Sequence, residues 1–175
     1  MSLQEYKDQL KDYARDIRLN LETVFSEEGT AGLTAEQIRS IALACAYATK
    51  SRKLSEALLN DPEFSMQPIS VEAAKAAATI MAMNNVYYRF THLVEDEELA
   101  KLPAKLRMNV IGKPGVAKVD FELMSFAVSA INGCGKCMKS HVQELKKAGL
   151  DPIAIQTAVR IASVMNAAAQ AELIS

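Results

Sequence analysis

Two cysteines three positions apart, Cys134 and Cys137, are followed four residues later by His141, and Glu122 stands twelve residues before the first of them. Side chains of these types can run thiol–disulfide chemistry. A C-x-x-C pair opens and closes as a disulfide, and its thiolate is the form that attacks a partner disulfide or a peroxide oxygen. Asn132-Gly133 precedes the pair, so a helix must start there, and one sulfur then sits in a first turn among backbone N–H groups that lack intrahelical partners. Such a terminus, with the cation Lys136 between the cysteines, lowers a thiol pKa from about 8.5 towards about 3.5–7.5.

The spacing also supplies a base. His141 shares a helical face with both cysteines and reaches Cys137 more easily than Cys134. Its imidazole can take a thiol proton near neutral pH. Glu122 is the only charge between Asp120 and Lys136, in a segment apolar enough to be buried, where a lone carboxylate would be costly. If the chain reverses at Asn132-Gly133 into an antiparallel helical hairpin, Glu122 and His141 face each other and the carboxylate orients the imidazole. On this reading His141, supported by Glu122, deprotonates Cys137, while Cys134 at the helix start is the more exposed thiol that exchanges with partner disulfides.

Blander assignments stay open from the residues alone. Cys134, Cys137, His141 and Glu122 could together ligate a structural zinc ion, although no second C-x-x-C is present and glutamate is an uncommon ligand there. Glu122 could instead complement the positive end of its helix, and His141 could be a surface residue. Elsewhere Cys45, within Ile41-Ala-Leu-Ala-Cys-Ala46, reads as a small core residue. His92 reads as a solvated or capping residue near a helix end, and Met81, Met83, Tyr87 and Tyr88 as core packing.

The elements that position these groups follow from where glycine and proline fall. They cluster near residues 29–32, 62–68, 103, 112–115, 133–135 and 149–152, and the stretches between are rich in Ala, Leu, Met, Glu and Lys with no alternation of β-branched residues. The expected fold is all-α, a single-domain helical bundle over residues 1–175 with the redox segment at 122–141. Helices are predicted at 3–27 as one or two, 34–60 as a pair broken near Lys50, 70–95, 103–109, 119–132, 134–148 and 151–173. Thr34 with Gln37 has the form of a capping box, Ser70 before Glu72 has that of a cap, and Asp151-Pro152 places a capping side chain before an N1 proline. Met83-Asn84 and Met165-Asn166, each in an alanine-rich helix that follows a helical pair, suggest a duplicated unit of about eighty residues. The many small and apolar side chains point to a homo-oligomer.

Twenty basic against twenty-one acidic residues, with no long block of one sign, gives no footprint for nucleic acid or an anionic membrane. The uncharged stretches fall short of the ~20 apolar residues that cross a bilayer. Residues 1–10 lack the apolar run of a secretion signal. Three cysteines are not a disulfide framework, and a reducing, cytoplasmic compartment is expected. The βαβ pattern that a thioredoxin fold requires around C-x-x-C is missing.

Four segments carry a family resemblance: Tyr13-Ala-Arg-Asp-Ile-Arg-Leu-Asn-Leu21, Ile80-Met-Ala-Met-Asn-Asn-Val-Tyr-Tyr-Arg89, Leu106-Arg-Met-Asn-Val-Ile111 with Pro114-Gly115, and Phe121 through Cys134. With the spacing of Glu122, Cys134, Cys137 and His141, the chain resembles, over nearly its whole length, the alkyl hydroperoxidase AhpD family within the carboxymuconolactone decarboxylase-like fold group. The resemblance implies a helical subunit with an internal repeat, assembled as a trimer. It implies a redox disulfide that carries electrons from dihydrolipoamide, on a lipoylated dehydrogenase component, to the peroxiredoxin AhpC, and direct but weaker reduction of alkyl hydroperoxides. No bound cofactor is implied. Some members have histidine where this chain has Lys136, and lysine cannot relay protons at neutral pH as imidazole does. Two other classes compete: a carboxymuconolactone decarboxylase-like enzyme doing acid–base chemistry without sulfur, and a zinc-stabilised binding module.

Overall fold

The computed structural model describes residues 1–175 and contains helices and connecting segments only. In chain order they are α1 (Leu3–Gln9), α2 (Arg15–Val24), α3 (Ala35–Ala48), α4 (Arg52–Leu59), α5 (Pro68–Leu93), α6 (Glu97–Lys101), α7 (Asn109–Gly112), α8 (Lys118–Ile131), α9 (Gly135–Lys147) and α10 (Pro152–Leu173), with single 3-10 turns at Asp12–Ala14 and Pro62–Phe64. The all-α expectation holds.

Two short helices form the centre. In α3 every residue from Ser40 to Ala46 is buried, and in α8 every residue from Phe121 to Ser129. A helix apolar all round has no solvent face and must be enclosed by others. The long helices α5 and α10 enclose this pair, packing on it through Ala73, Ala74 and Ala77 and through Ala158, Ala162, Ala168 and Ala169. Small side chains let the backbones approach, and the central Ile41, Leu43, Phe121 and Leu123 then contribute about 1.5–3 kcal/mol each by leaving water. Helices α1 and α2 close the side formed by α4 and α10.

Several boundary signals work as read. Thr34 and Gln37 make the reciprocal capping box. Asp151 accepts from the Ala154 N–H in front of N1 Pro152. Lys50, at φ 61°, separates α3 from α4. Others do not. Helix α5 starts two residues before Ser70, because Pro68 takes the first helical position. The helix expected at 103–109 is absent: residues 102–108 are non-helical, Lys105 has φ 51°, and the short helices lie on either side, in α6 and α7.

The element order repeats. Helices beginning at Ala35, Arg52 and Pro68 are followed at a near-constant offset by helices beginning at Lys118, Gly135 and Pro152. In this register Met165 corresponds to Met81, so the Met83-Asn84 and Met165-Asn166 pairs are two residues out of step. The offset that relates the starts of α4 and α9, one residue smaller, sets the N-cap Ser51 of α4 against the N-cap Cys134 of α9. Ser51 accepts from the Leu54 N–H, and Cys134 accepts from the Cys137 N–H. At this capping position sulfur occurs only in the second copy.

Candidate active site

The turn between α8 and α9 decides where the sulfurs go. Gly133 takes the left-handed conformation at φ 68°, its N–H donates to Ala130 O, and the Cys134 N–H reaches back to Ser129 O. This 6→1 and 5→2 pair is a Schellman termination, which favours glycine because no Cβ opposes the positive φ. Cys134 therefore leaves α8 and caps α9 in the same step. Its Sγ accepts the Cys137 N–H at 3.2 Å, as expected for an anion-tolerant site at a helix start. Cys134 and Cys137 are joined as a disulfide with S–S 2.09 Å.

The hairpin brings the acid and the base together. His141 Nδ1 lies 2.7 Å from Glu122 Oε2, with the two side chains 13% and 9% exposed. Glu122 is thus neither a helix-end complement in solvent nor an unpaired buried charge. Both residues and Cys137 line one cavity of about 310 Å³, together with Met81, Asn84 and Tyr88 from α5, Met108 and Ile111 from the 102–112 segment, and Ser140 and Glu144 from α9. Lys147 and Lys118 contact Glu144 and hold its carboxyl below the ordinary carboxylate range.

Two expectations need correction. Cys134 is not the more exposed thiol: it is 0% exposed, whereas Cys137 is 7% exposed and alone of the pair lines the cavity. The cap position turns the Cys134 sulfur back over the first turn of α9 and seals it against the helices. Met81 and Tyr88 are not only packing residues, since they form a wall of the cavity. Lys136 lies across the Tyr88 ring, 5.6 Å from its centroid, with its Nζ 3.5 Å from Thr91 Oγ1. Cys45 is buried as expected, and burial pushes its thiol well above the ordinary value. His92 is exposed.

A polar network behind the sulfurs was not anticipated. Asn85 donates to Ser129 Oγ at 2.9 Å and accepts from Asn132 Nδ2 at 2.9 Å, and Arg89 Nη1 donates to Asn132 O at 2.5 Å. These bonds tie α5 to the end of α8 and so fix the turn that presents the cysteines. Two adjacent asparagines inside an apolar helix were the available signal, because a buried amide needs partners. The four candidate zinc ligands do not converge. No group of three or more His, Cys, Asp or Glu side chains is arranged to hold a metal ion, and His141 Nδ1 is already engaged by Glu122.

Residues 97–173 match the Carboxymuconolactone decarboxylase family. Over nearly its full length the chain is similar to proteins named Alkyl hydroperoxide reductase AhpD. It is 54% identical over 172 residues to that of Coxiella burnetii (strain RSA 493 / Nine Mile phase I), covering 98% of this chain and 97% of the relative. It is 49% identical over 171 residues to that of Azorhizobium caulinodans, covering 98% and 93%, and 51% identical over 167 residues to that of Streptomyces griseus subsp. griseus, covering 95% and 93%. Identity at this level across both repeats, and not only around the cysteines, places the chain in the alkyl hydroperoxide reductase AhpD family.

Proposed function

We propose that the protein is a thiol-dependent antioxidant enzyme that reduces alkyl hydroperoxides through the Cys134–Cys137 pair, and that the same pair passes electrons from dihydrolipoamide to a peroxiredoxin of the AhpC type. The observation that carries this reading is that Cys137, already within bonding distance of Cys134, opens on the cavity that holds the Glu122–His141 pair. The names of the relatives support the peroxide branch.

In the reduced protein His141 takes the Cys137 proton, and Glu122 holds the ring in place for it. The thiolate attacks the terminal oxygen of R–O–O–H. The O–O bond breaks, Cys137 becomes a sulfenic acid, and the alkoxide takes the proton from the imidazolium to leave as an alcohol. Cys134 then attacks the sulfenic sulfur, which releases water and closes the disulfide. A dithiol resets it by exchange at Cys137, the sulfur the cavity exposes, and is itself oxidised to a disulfide. In the relay branch Cys137 attacks the peroxiredoxin disulfide in place of a peroxide.

The exposed stripe Val86, Phe90 and Leu93 on α5 supports self-association, in accord with a trimer. No helix is long and apolar enough to cross a membrane, which is compatible with a cytoplasmic site of action. A carboxymuconolactone decarboxylase-like reaction could use the Glu122–His141 pair without sulfur, and its activity would survive alkylation of both cysteines. The deciding experiment is peroxide consumption by the purified protein, with and without an AhpC-type peroxiredoxin, comparing dihydrolipoamide, thioredoxin and glutathione as donors. Dihydrolipoamide-dependent turnover that stops on alkylation is expected. Turnover unaffected by alkylation would overturn the sulfur mechanism.

A further inference from the structure

Neighbouring asparagines on α5 have opposite fates. Asn85 has both amide atoms engaged, on Ser129 and Asn132. Asn84 is 5% exposed, and its Oδ1 is buried with no hydrogen-bond partner. A carbonyl oxygen sealed from water without a donor costs stability, and a native fold keeps one chiefly where something else supplies the donor. Asn84 is a wall of the cavity that also holds Cys137, Glu122 and His141.

We propose that Asn84 is the residue that binds and orients the hydroperoxide group of the substrate. The inference rests on the peroxide-reducing reading above. The terminal R–O–O–H group is the chemistry the amide fits, because it carries one O–H donor beside acceptor oxygens, while a carboxamide carries an acceptor beside N–H donors. A half-turn about the last side-chain bond exchanges Oδ1 with Nδ2, and that torsion is soft. Asn84 then accepts the substrate O–H and leaves the terminal oxygen open to Cys137, while Met81, Met108 and Ile111 give the cavity an apolar side for the alkyl group. The charged groups there are already engaged. Glu122 and His141 face each other, Glu144 faces two lysines, and Lys136 lies over Tyr88. During attack the proton on the terminal oxygen stays with it as the sulfenic O–H, so Asn84 needs to give up no proton. It holds the group through the step.

A disulfide oxidant has no O–H to offer, which separates binding of the hydroperoxide from general competence of the thiols. The test takes the reduced, full-length protein, removes the reductant, and follows thiol loss by stopped flow with cumene hydroperoxide and, separately, with dipyridyl disulfide. In Asn84→Leu, which keeps the branched side chain of four heavy atoms but removes its hydrogen-bonding atoms, the ratio of the hydroperoxide rate constant to the disulfide rate constant is expected to fall about tenfold, the usual scale for one lost hydrogen bond. The thermal midpoint is expected to stay level or rise, because an unpaired buried amide has been replaced by a hydrocarbon. A purely structural asparagine would lower the midpoint and slow both oxidants together, and that result, or an unchanged ratio, overturns the proposal. If the leucine variant does not fold, Asn84→Ala is read by the same ratio. A wild-type protein that reacts with the disulfide but ignores the hydroperoxide would overturn the peroxide reading itself, and this inference with it. A normal wild-type response with an unchanged ratio in the variants would overturn the role of Asn84 alone.

Discussion

His141 Nδ1 stands 2.7 Å from Glu122 Oε2 across the α8–α9 hairpin, and each is among the least exposed charged or titratable groups of the second repeat. Each makes the other's burial tolerable. Removing the imidazole leaves the buried Glu122 carboxyl without its hydrogen-bond partner, so His141→Ala should be the more destabilising change, by roughly 1–3 kcal/mol. Glu122→Gln keeps the shape and removes the charge, so it should fold well. Both should slow dithiol-dependent peroxide reduction by about a hundredfold or more, the range of a positioned acid–base group. Denaturant midpoints and single-turnover rates check the two halves separately. Wild-type rates in Glu122→Gln would show that the pair is structural only.

The difference in exposure between the two cysteines predicts an order of reaction. With Cys137 on the cavity wall and Cys134 fully buried, brief treatment of the reduced protein with iodoacetamide should label Cys137 first, as read by peptide mass mapping. Cys134→Ser should trap a mixed disulfide or sulfenic acid on Cys137, and neither Cys134→Ser nor Cys137→Ser should turn over. Preferential labelling of Cys134, or full dithiol-linked activity in either variant, would reverse the assignment.

The hairpin was legible because its signals are local. Asn132-Gly133 gives the left-handed turn, the C-x-x-C follows it at once, and a lone glutamate in an apolar helix predicts its own partner. Cysteine exposure was not legible. A helix-start position suggests accessibility, but whether Cys134 faces solvent depends on how α8 is enclosed, a tertiary property. The cavity wall was hidden for the same reason: Met81 and Tyr88 have side chains suited to any core, and only the docking of the 102–112 segment turns them into lining. That segment lacks helical periodicity and was misread around Pro103. The repeat was visible, but the Met-Asn pairs offered as its mark fall out of register.

The Asn85 network should matter to the redox turn more than to the core. Asn85→Ala leaves Ser129 Oγ and Asn132 Nδ2 without their partner, and the orphaned, fully buried Ser129 hydroxyl alone costs about 1–3 kcal/mol. The expected result is a lower urea midpoint together with faster hydrogen exchange at Gly133 and Cys134. Exchange unchanged at those two amides would mean the Schellman turn holds itself.

Alkaline stability should report on Cys45. Burial raises its thiol above the ordinary value of 9.0 in the folded protein only. The unfolded chain therefore loses this proton first as pH rises, so the stabilising contribution is complete below about pH 8 and declines above about pH 9. With Cys134 and Cys137 kept oxidised, the urea midpoint should fall between pH 8 and pH 10, and Cys45→Ala should show a shallower fall from a lower starting value. Parallel slopes would contradict the assignment. Tyr6 adds to the decline at higher pH, because burial and the Glu172 carboxylate both raise its phenol above 10.0.

Val86, Phe90 and Leu93 project from one side of α5 at 61%, 47% and 69% exposure. Their spacing is that of a helix face made to be covered, yet nothing in the subunit covers it. Val94, at the end of α5, and Leu99 and Leu102, on α6 and just beyond, are further exposed apolar side chains. The stripe lies on the face of α5 opposite Met81, Asn84 and Tyr88, which line the cavity, so association through it is separate from the site. Phe90→Glu places a charge at the centre of the stripe and touches no residue of the cavity. Sedimentation should show an oligomer for the wild-type protein and a monomer for the variant, with the helical circular dichroism spectrum retained. An oligomer that survives Phe90→Glu would move the interface to another face.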